Sequence, residues 1–297
     1  MLHLKRHLPK WGKFLLVLTI TFIIVFGFML FTQTLIAHRP GTSFTPDYPK
    51  LDLSALLAQD TLTDSDYDTL FLQTGLGRSA ADILLSAGQT GRAAIRQIQD
   101  SFFAHYSITC DPLLGWFTRE DHLQSSTGDT VYTPELVDLQ PGDLLITLST
   151  HSLGWRHGHA GLVVDTGDGL GTLECVVLGT DSKVMALDHW RTYSNLAVLR
   201  VKGLDEQERA ASAEYAMEHL VGIPYHLTAG FFGPKAPEPD SPGFGLQCSY
   251  LVWYAWQAAG YDLDSDGGPL ASSYDLLHSD LLEVVQLYGM DPRLFDQ

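Results

Sequence analysis

Cys248 opens the segment Cys248-Ser249-Tyr250-Leu251-Val252-Trp253-Tyr254-Ala255-Trp256, directly after the loop Gly243-Phe244-Gly245-Leu246-Gln247. Val252, Ala255 and Ala259 fall on one helical face, and Gly260 supplies a stop, so the cysteine stands in the first turn of a helix. The unpaired N–H groups of that turn and the helix dipole favour a thiolate, lowering the pKa below the free value of about 8.5. The same N–H groups suit a developing oxyanion. An isolated cysteine is more often a buried structural residue, so the reading depends on its companions.

A base is offered by His159, in Arg156-His157-Gly158-His159-Ala160-Gly161-Leu162-Val163-Val164, at the head of an apolar strand. An imidazole at a strand start projects from a rigid element. His157 shares its strand parity and is the reserve base. Glu174 lies in Leu173-Glu174-Cys175-Val176-Val177, where a carboxylate is unfavourable without a partner. A turn over Thr166 to Gly171 that pairs Asp165 with Thr172 sets Glu174 opposite Val163, on the sheet face of Gly161 and His159. Cys248, His159 and Glu174 then make a nucleophile, a base and an orienter of the base. No cofactor or metal is expected. A zinc site from His157, His159 and Cys175 lacks the usual ligand spacing. Asp262, Asp264 and Asp266 imitate a calcium loop, but Ser273 stands at its twelfth position, so a polar turn is expected.

These residues need elements to hold them. Leu144 to Leu148, Ala160 to Val164, Thr172 to Leu178 and Leu196 to Val201 have strand texture, followed by helices over Glu206 to Val221 and Cys248 to Ala259. Strands and helices in separate blocks indicate an α+β domain with an antiparallel sheet. Earlier in the chain, Ser65 opens a short helix closed by Gly75, Ser79 with Asp82 resembles a capping box, and Thr90 can cap a third helix.

Composition limits the partners. The net charge is −17 although the first 13 residues carry Lys5, Arg6, Lys10 and Lys13, so nucleic acid binding is not expected. Phe14 to Ala37 is a run of 24 residues without a charge. As a helix it spans about 36 Å against a hydrocarbon core of about 30 Å, longer than a signal peptide's apolar region. Basic residues before it place the N-terminus in the cytoplasm and the rest outside the cell membrane. Of the three cysteines, Cys110 and Cys175 are free to pair or not on sequence grounds.

Pro141-Gly142-Asp143-Leu144-Leu145, the His159-Ala160-Gly161-Leu162-Val163 strand and Cys248-Ser249-x-Leu251-Val252 resemble NlpC-type papain-like cysteine hydrolases. In that family a Gly-x-Pro-Tyr segment and the Cys helix usually come first. Here Gly222-Ile223-Pro224-Tyr225 and Cys248 follow the His strand, a circularly permuted order that resembles the YiiX/YebB-like branch and, more distantly, lecithin:retinol acyltransferase-like proteins. The match runs from about Leu139 to the C-terminus, and the long Pro-rich loop from His226 to Leu246 departs from it.

The resemblance implies a permuted papain-like α+β fold with a central antiparallel sheet and packed helices. It implies Cys248, His159 and Glu174 as catalytic residues, with Tyr225 beside the nucleophile and Ser249 and Gln247 as further oxyanion or substrate-binding candidates. It also implies an amide substrate such as a peptidoglycan stem peptide, with lipid acyl transfer, lipid-amide hydrolysis or non-catalytic wall binding as rivals. The expected organisation is a basic tail (1–13), an anchor (14–37), a linker (38–64), a helical accessory segment (65–137) and the hydrolase-like domain (138–297).

Overall fold

A computed structural model describes residues 9–37, 39–41, 43–115 and 117–295; Lys5 and Arg6 of the basic tail lie outside them. The uncharged run forms helix α1, Lys10–Ala37, 28 residues long, or about 42 Å. Its stretch Lys10–Thr32 is long and apolar enough to cross a membrane, and the side chains described along it are mostly exposed.

The accessory helices are α2 (Ser54–Leu57), α3 (Asp64–Thr74), α4 (Arg78–Ser86) and α5 (Gly88–Phe102). Thr63 caps α3 in a reciprocal box with Asp66, and Gly75 closes it in the left-handed conformation. The cap is thus Thr63 and not Ser65, which lies inside the helix, and the other two starts also differ from expectation. Helix α4 is preceded by Gly77, and α5 follows α4 after a single residue, with neither start capped by a side chain, so Ser79 and Thr90 lie inside helices. Packing of Ala80, Ala81, Ile95 and Ile98 into the core substitutes for the missing caps.

Two strands then appear within the stretch read as helical, β1 (Ser107–Leu114) and β2 (Thr118–Gln124). Their sequences, SITCDPLL and TREDHLQ, carry too many charges and one proline for an apolar alternation to show. Their pairing is completed from far along the chain by β4 (Thr150–Ser152), giving a sheet of order β1-β2-β4.

The larger sheet is antiparallel throughout. Its strands are β3 (Leu144–Thr147), β5 (His159–Asp165), β6 (Leu170–Glu174), β7 (Lys183–Met185), β8 (Leu196–Val201) and β9 (Leu282–Tyr288), in the order β7-β6-β5-β3-β8-β9. The C-terminal helices are α6 (Glu206–His219), α7 (Cys248–Ala258) and α8 (Ser273–Leu277). The two faces of the sheet bury different partners. Leu144, Ile146, Leu162 and Leu173 pack with Ala213, Leu251 and Val252 of α6 and α7. Leu145, Val163 and Val198 pack with Leu57, Leu70, Ala80 and Ile95 of the accessory helices. The molecule is therefore α+β, and the accessory helices share a core with the sheet instead of standing apart from it.

The Pro141-Gly142-Asp143 turn has a structural explanation. Gly142 has φ of +93°, and a Cβ there would come within 2.4 Å of the Arg209 carbonyl oxygen. Asp143 is fully buried and takes both Nε and Nη2 of buried Arg200 at 2.8 Å. Asp143→Ala is expected to destabilise the chain by about 3 kcal/mol, the lower part of the range for breaking a buried pair, because Asp138 stays with Arg200. Chemical denaturation of the two proteins would measure it.

Candidate active site

Cys248 is the first residue of α7, after Gln247, whose side chain does not cap the helix. The first-turn N–H groups are consequently left for other acceptors. The approach to the helix is strapped by backbone pairing: Leu246 N–H donates to Pro224 O, and His226 N–H to Leu246 O. The Gly222-Ile223-Pro224-Tyr225 segment thus sets the position of the residue just before the cysteine helix. Burial alone would raise the Cys248 thiol. Hydrogen bonding and charge from His159, with backbone hydrogen bonds from Ala160 and Ser249, outweigh burial and hold its pKa below the ordinary thiol value.

His159 begins β5, and its Nε2 lies 2.6 Å from Glu174 Oε2. That nitrogen donates to the carboxylate, which leaves Nδ1 for the thiol side. The ring stacks on Trp190, with centroids 5.2 Å apart and planes 11° from parallel. Burial would lower the imidazole pKa, but Cys248 and Glu174 raise it well above the ordinary value. Cys248 and His159 therefore shift in opposite senses, as a thiolate–imidazolium pair requires.

Glu174 is 1% exposed, yet three side chains donate to it and a second imidazole faces it. Oε2 takes His159, while Oε1 takes Trp190 Nε1 at 3.0 Å and the Thr172 hydroxyl, with His189 Nε2 at 3.1 Å. Burial favours its neutral form, but the hydrogen bonds and charges of His159 and His189 hold it far below the ordinary carboxylate range.

The hairpin that delivers Glu174 is tighter than expected. Asp165 pairs with Leu170 and Val163 with Thr172, so the register moves by two residues. An even shift keeps the side chain on the same face and brings it next to Gly161. A Cβ at Gly161 would lie 2.8 Å from Trp190 and 3.1 Å from Glu174, which is why this position carries no side chain.

The other candidates are distributed unevenly. Tyr225 is close enough to Cys248 for the thiolate charge to raise its pKa further, after burial. Gln247 Oε1 lies 3.8 Å from the Cys248 sulfur, a weak contact. The Ser249 hydroxyl donates to Ala271 O at 2.8 Å in the interior and so holds a loop. His157 is turned to Ser152 Oγ at 3.0 Å and its pKa is lowered by burial; it does not reach Glu174. Cys175 donates to Leu246 O, and burial pushes its thiol up to about 12. The three cysteines form no disulfide. Asp264 pairs with Lys235, and the run Asp262, Asp264 and Asp266 is laced by hydrogen bonds to its own backbone as a turn.

Sequence reasoning missed His189 and Trp190, carried by a single 3-10 segment, Leu187–Thr192. Their only sequence signal is an adjacent His-Trp pair between two strands. His189 Nδ1 lies 2.7 Å from the Ala186 carbonyl and Nε2 faces the Glu174 carboxylate. Burial alone would lower the pKa of this ring, but Glu174 beside it raises it above the ordinary imidazole value. His189→Gln is expected to remove a competing imidazole from Glu174, tighten the hold of Glu174 on His159 and move the alkaline limb of any pH–rate profile upward. A profile of kcat/KM against pH would show it.

A second grouping, Cys110, Asp121 and His151, lies in the small sheet, with its potential ligand atoms within 4.8 Å of one another.

No protein-family model matches the chain, and no curated protein matches it. Among solved structures it is similar to the metalloprotein YiiX from Escherichia coli O157:H7, at 19% sequence identity and a TM-score of 0.39, covering 49% of this chain and 96% of that one.

Proposed function

We propose that this chain is a membrane-anchored cysteine hydrolase of amide bonds, with a permuted papain-like domain held outside the cytoplasm by α1. The observation that carries the reading is the buried chain Cys248–His159–Glu174, with the thiol pKa lowered and the imidazole pKa raised. The Cys248 thiolate attacks the amide carbonyl carbon, and its oxygen becomes an oxyanion held by first-turn N–H groups, with Tyr225 and Gln247 lining the approach. His159 Nδ1–H protonates the leaving nitrogen as the C–N bond breaks, leaving a thioester. His159 then deprotonates a water that attacks the thioester, releasing a carboxylic acid and restoring the thiolate. Glu174 keeps the ring oriented throughout.

Stem peptides of peptidoglycan are the substrate class we infer, since the anchor holds the domain beside that material. A second reading, lipid-amide hydrolysis or acyl transfer, is favoured by one feature. The loop between Tyr225 and Cys248 exposes Leu227, Phe231 and Phe232, the last at 77%, as an apolar tip beside a membrane would. Incubating the full chain in detergent with purified peptidoglycan and, separately, with lipid amides distinguishes the two by the mass of the products. Absence of new products from both, in a protein whose Cys248 is also unreactive to a mild alkylating probe, overturns the hydrolase reading.

A further inference from the structure

The small sheet assembles a second set of reactive side chains, independent of Cys248. Cys110 on β1 pairs with Asp121 on β2, and Arg119 on β2 pairs with His151 on β4. Directly paired residues share a sheet face, as do Arg119 and Asp121, two apart on one strand. Cys110, Arg119, Asp121 and His151 therefore converge on one face. Asp121 and His151 are fully buried.

The spacing is that of metal ligands. Cys110 Sγ stands 3.5 Å from His151 Nε2, and His151 Nε2 stands 3.5 Å from Asp121 Oδ1. Sulfur at about 2.3 Å and nitrogen or oxygen at about 2.0–2.2 Å from a tetrahedral zinc ion are separated by about 3.4–3.6 Å.

The carboxylate supplies a second, independent observation. Asp121 Oδ2 accepts from Gly41 N–H at 2.7 Å and from Arg156 Nη1 at 2.6 Å. Its partner oxygen Oδ1 is buried with no hydrogen bond, while facing the imidazole and the thiol. Buried carboxylate oxygens are seldom left without a partner. One oxygen fixed by outer donors and the other left bare is the arrangement of a metal-ligating carboxylate.

We propose that Cys110, Asp121 and His151 bind a zinc-class divalent cation, with water completing a tetrahedron. A thiolate and a carboxylate neutralise the dication. Arg119, whose Nε donates to Cys110 Sγ at 3.1 Å, and Arg156 act as outer-shell donors that orient the two anionic ligands. The ligating form of a cysteine is the thiolate, so binding the cation displaces the proton of the Cys110 thiol. The ion would tie β1, β2 and β4 together and depart from the expectation of a metal-free chain. The tie also reaches the first site. From the opposite face of β2, Glu120 accepts from Tyr193 and His122 stacks on it, and Tyr193 packs edge-on against Trp190 beneath His159.

The test uses the full chain in detergent, stripped with a chelator and titrated with cobalt(II) and, separately, with zinc(II). One equivalent of cobalt is expected to give intense tetrahedral d–d bands and a thiolate-to-cobalt charge-transfer band. Cys248→Ser should retain both, and Cys110→Ser should lose the charge-transfer band. Independently of any variant, free zinc at ten times its Kd should slow alkylation of Cys110 in the native chain about tenfold, as read by peptide mass spectrometry. A native chain that gives no charge-transfer band, a band that depends on Cys248 or Cys175 instead of Cys110, or alkylation of Cys110 unchanged by zinc would each overturn the proposal.

Discussion

Cys248→Ala is expected to lower the rate of amide hydrolysis by at least about 10³-fold, equivalent to about 4 kcal/mol of barrier, while leaving the fold intact. The loss is large because no other thiol can take over. Cys175 is bonded to Leu246 O with its thiol pKa pushed up to about 12, and Cys110 lies in the other sheet. The fold should survive because the truncated atom is one sulfur at the start of α7, while Leu251, Val252, Trp253 and Trp256 keep that helix in the core. Alkylation of the unmodified chain, followed by peptide mapping, should label Cys248 well before Cys175. A variant with more than about a tenth of the original activity would show that the nucleophile lies elsewhere.

The pH dependence provides the second large effect. A reactive thiolate–imidazolium pair requires Cys248 deprotonated and His159 protonated. The thiol pKa is lowered, so the acid limb of kcat/KM falls below the ordinary thiol range. The imidazole pKa is raised well above its ordinary value, so the alkaline limb lies above the ordinary imidazole range. Glu174→Gln removes a buried negative charge 2.6 Å from His159. The imidazolium loses that partner, its pKa falls, and the alkaline limb moves to lower pH. The acid limb is set by Cys248 losing its proton while His159 is still charged, so the thiolate keeps its counter-charge there and that limb does not move up.

The alkaline limb approaches the acid limb, and the fraction of active pair drops on the alkaline side. With the orientation of the ring also loosened, a decrease of about 10²–10⁴-fold in kcat/KM is expected. Glu174→Gln should also leave His189 facing an amide in place of a carboxylate, so rescue by His189→Gln would be incomplete. A profile narrowed from its alkaline side, measured between pH 4 and about 10, is the signature; a uniform drop with unmoved limbs would mean that Glu174 acts only on folding.

Local chemistry was legible in the sequence wherever one element suffices. The first-turn position of Cys248 follows from apolar spacing after a Gly-rich loop, and α7 begins at that residue. The uncharged run forms one long helix, and the head of β5 carries His159. The face shared by His159 and Glu174 was also readable despite a register wrong by two, because strand parity survives an even shift.

What the tertiary structure alone decided depends on contacts distant in the chain. β1 and β2 are too charged to announce themselves, and they become strands because β4, some 26 residues beyond the end of β2, completes their hydrogen bonding. Trp190 and His189 come from a short 3-10 segment with no periodicity, yet they supply the stacking surface for His159 and a second imidazole facing Glu174. Cys110 reads alone as a leftover thiol; only the pairing of three strands sets it 3.5 Å from His151. Periodicity encodes which way a side chain faces on its own element, whereas the neighbour it meets depends on register, sheet order and burial, which are properties of the folded chain.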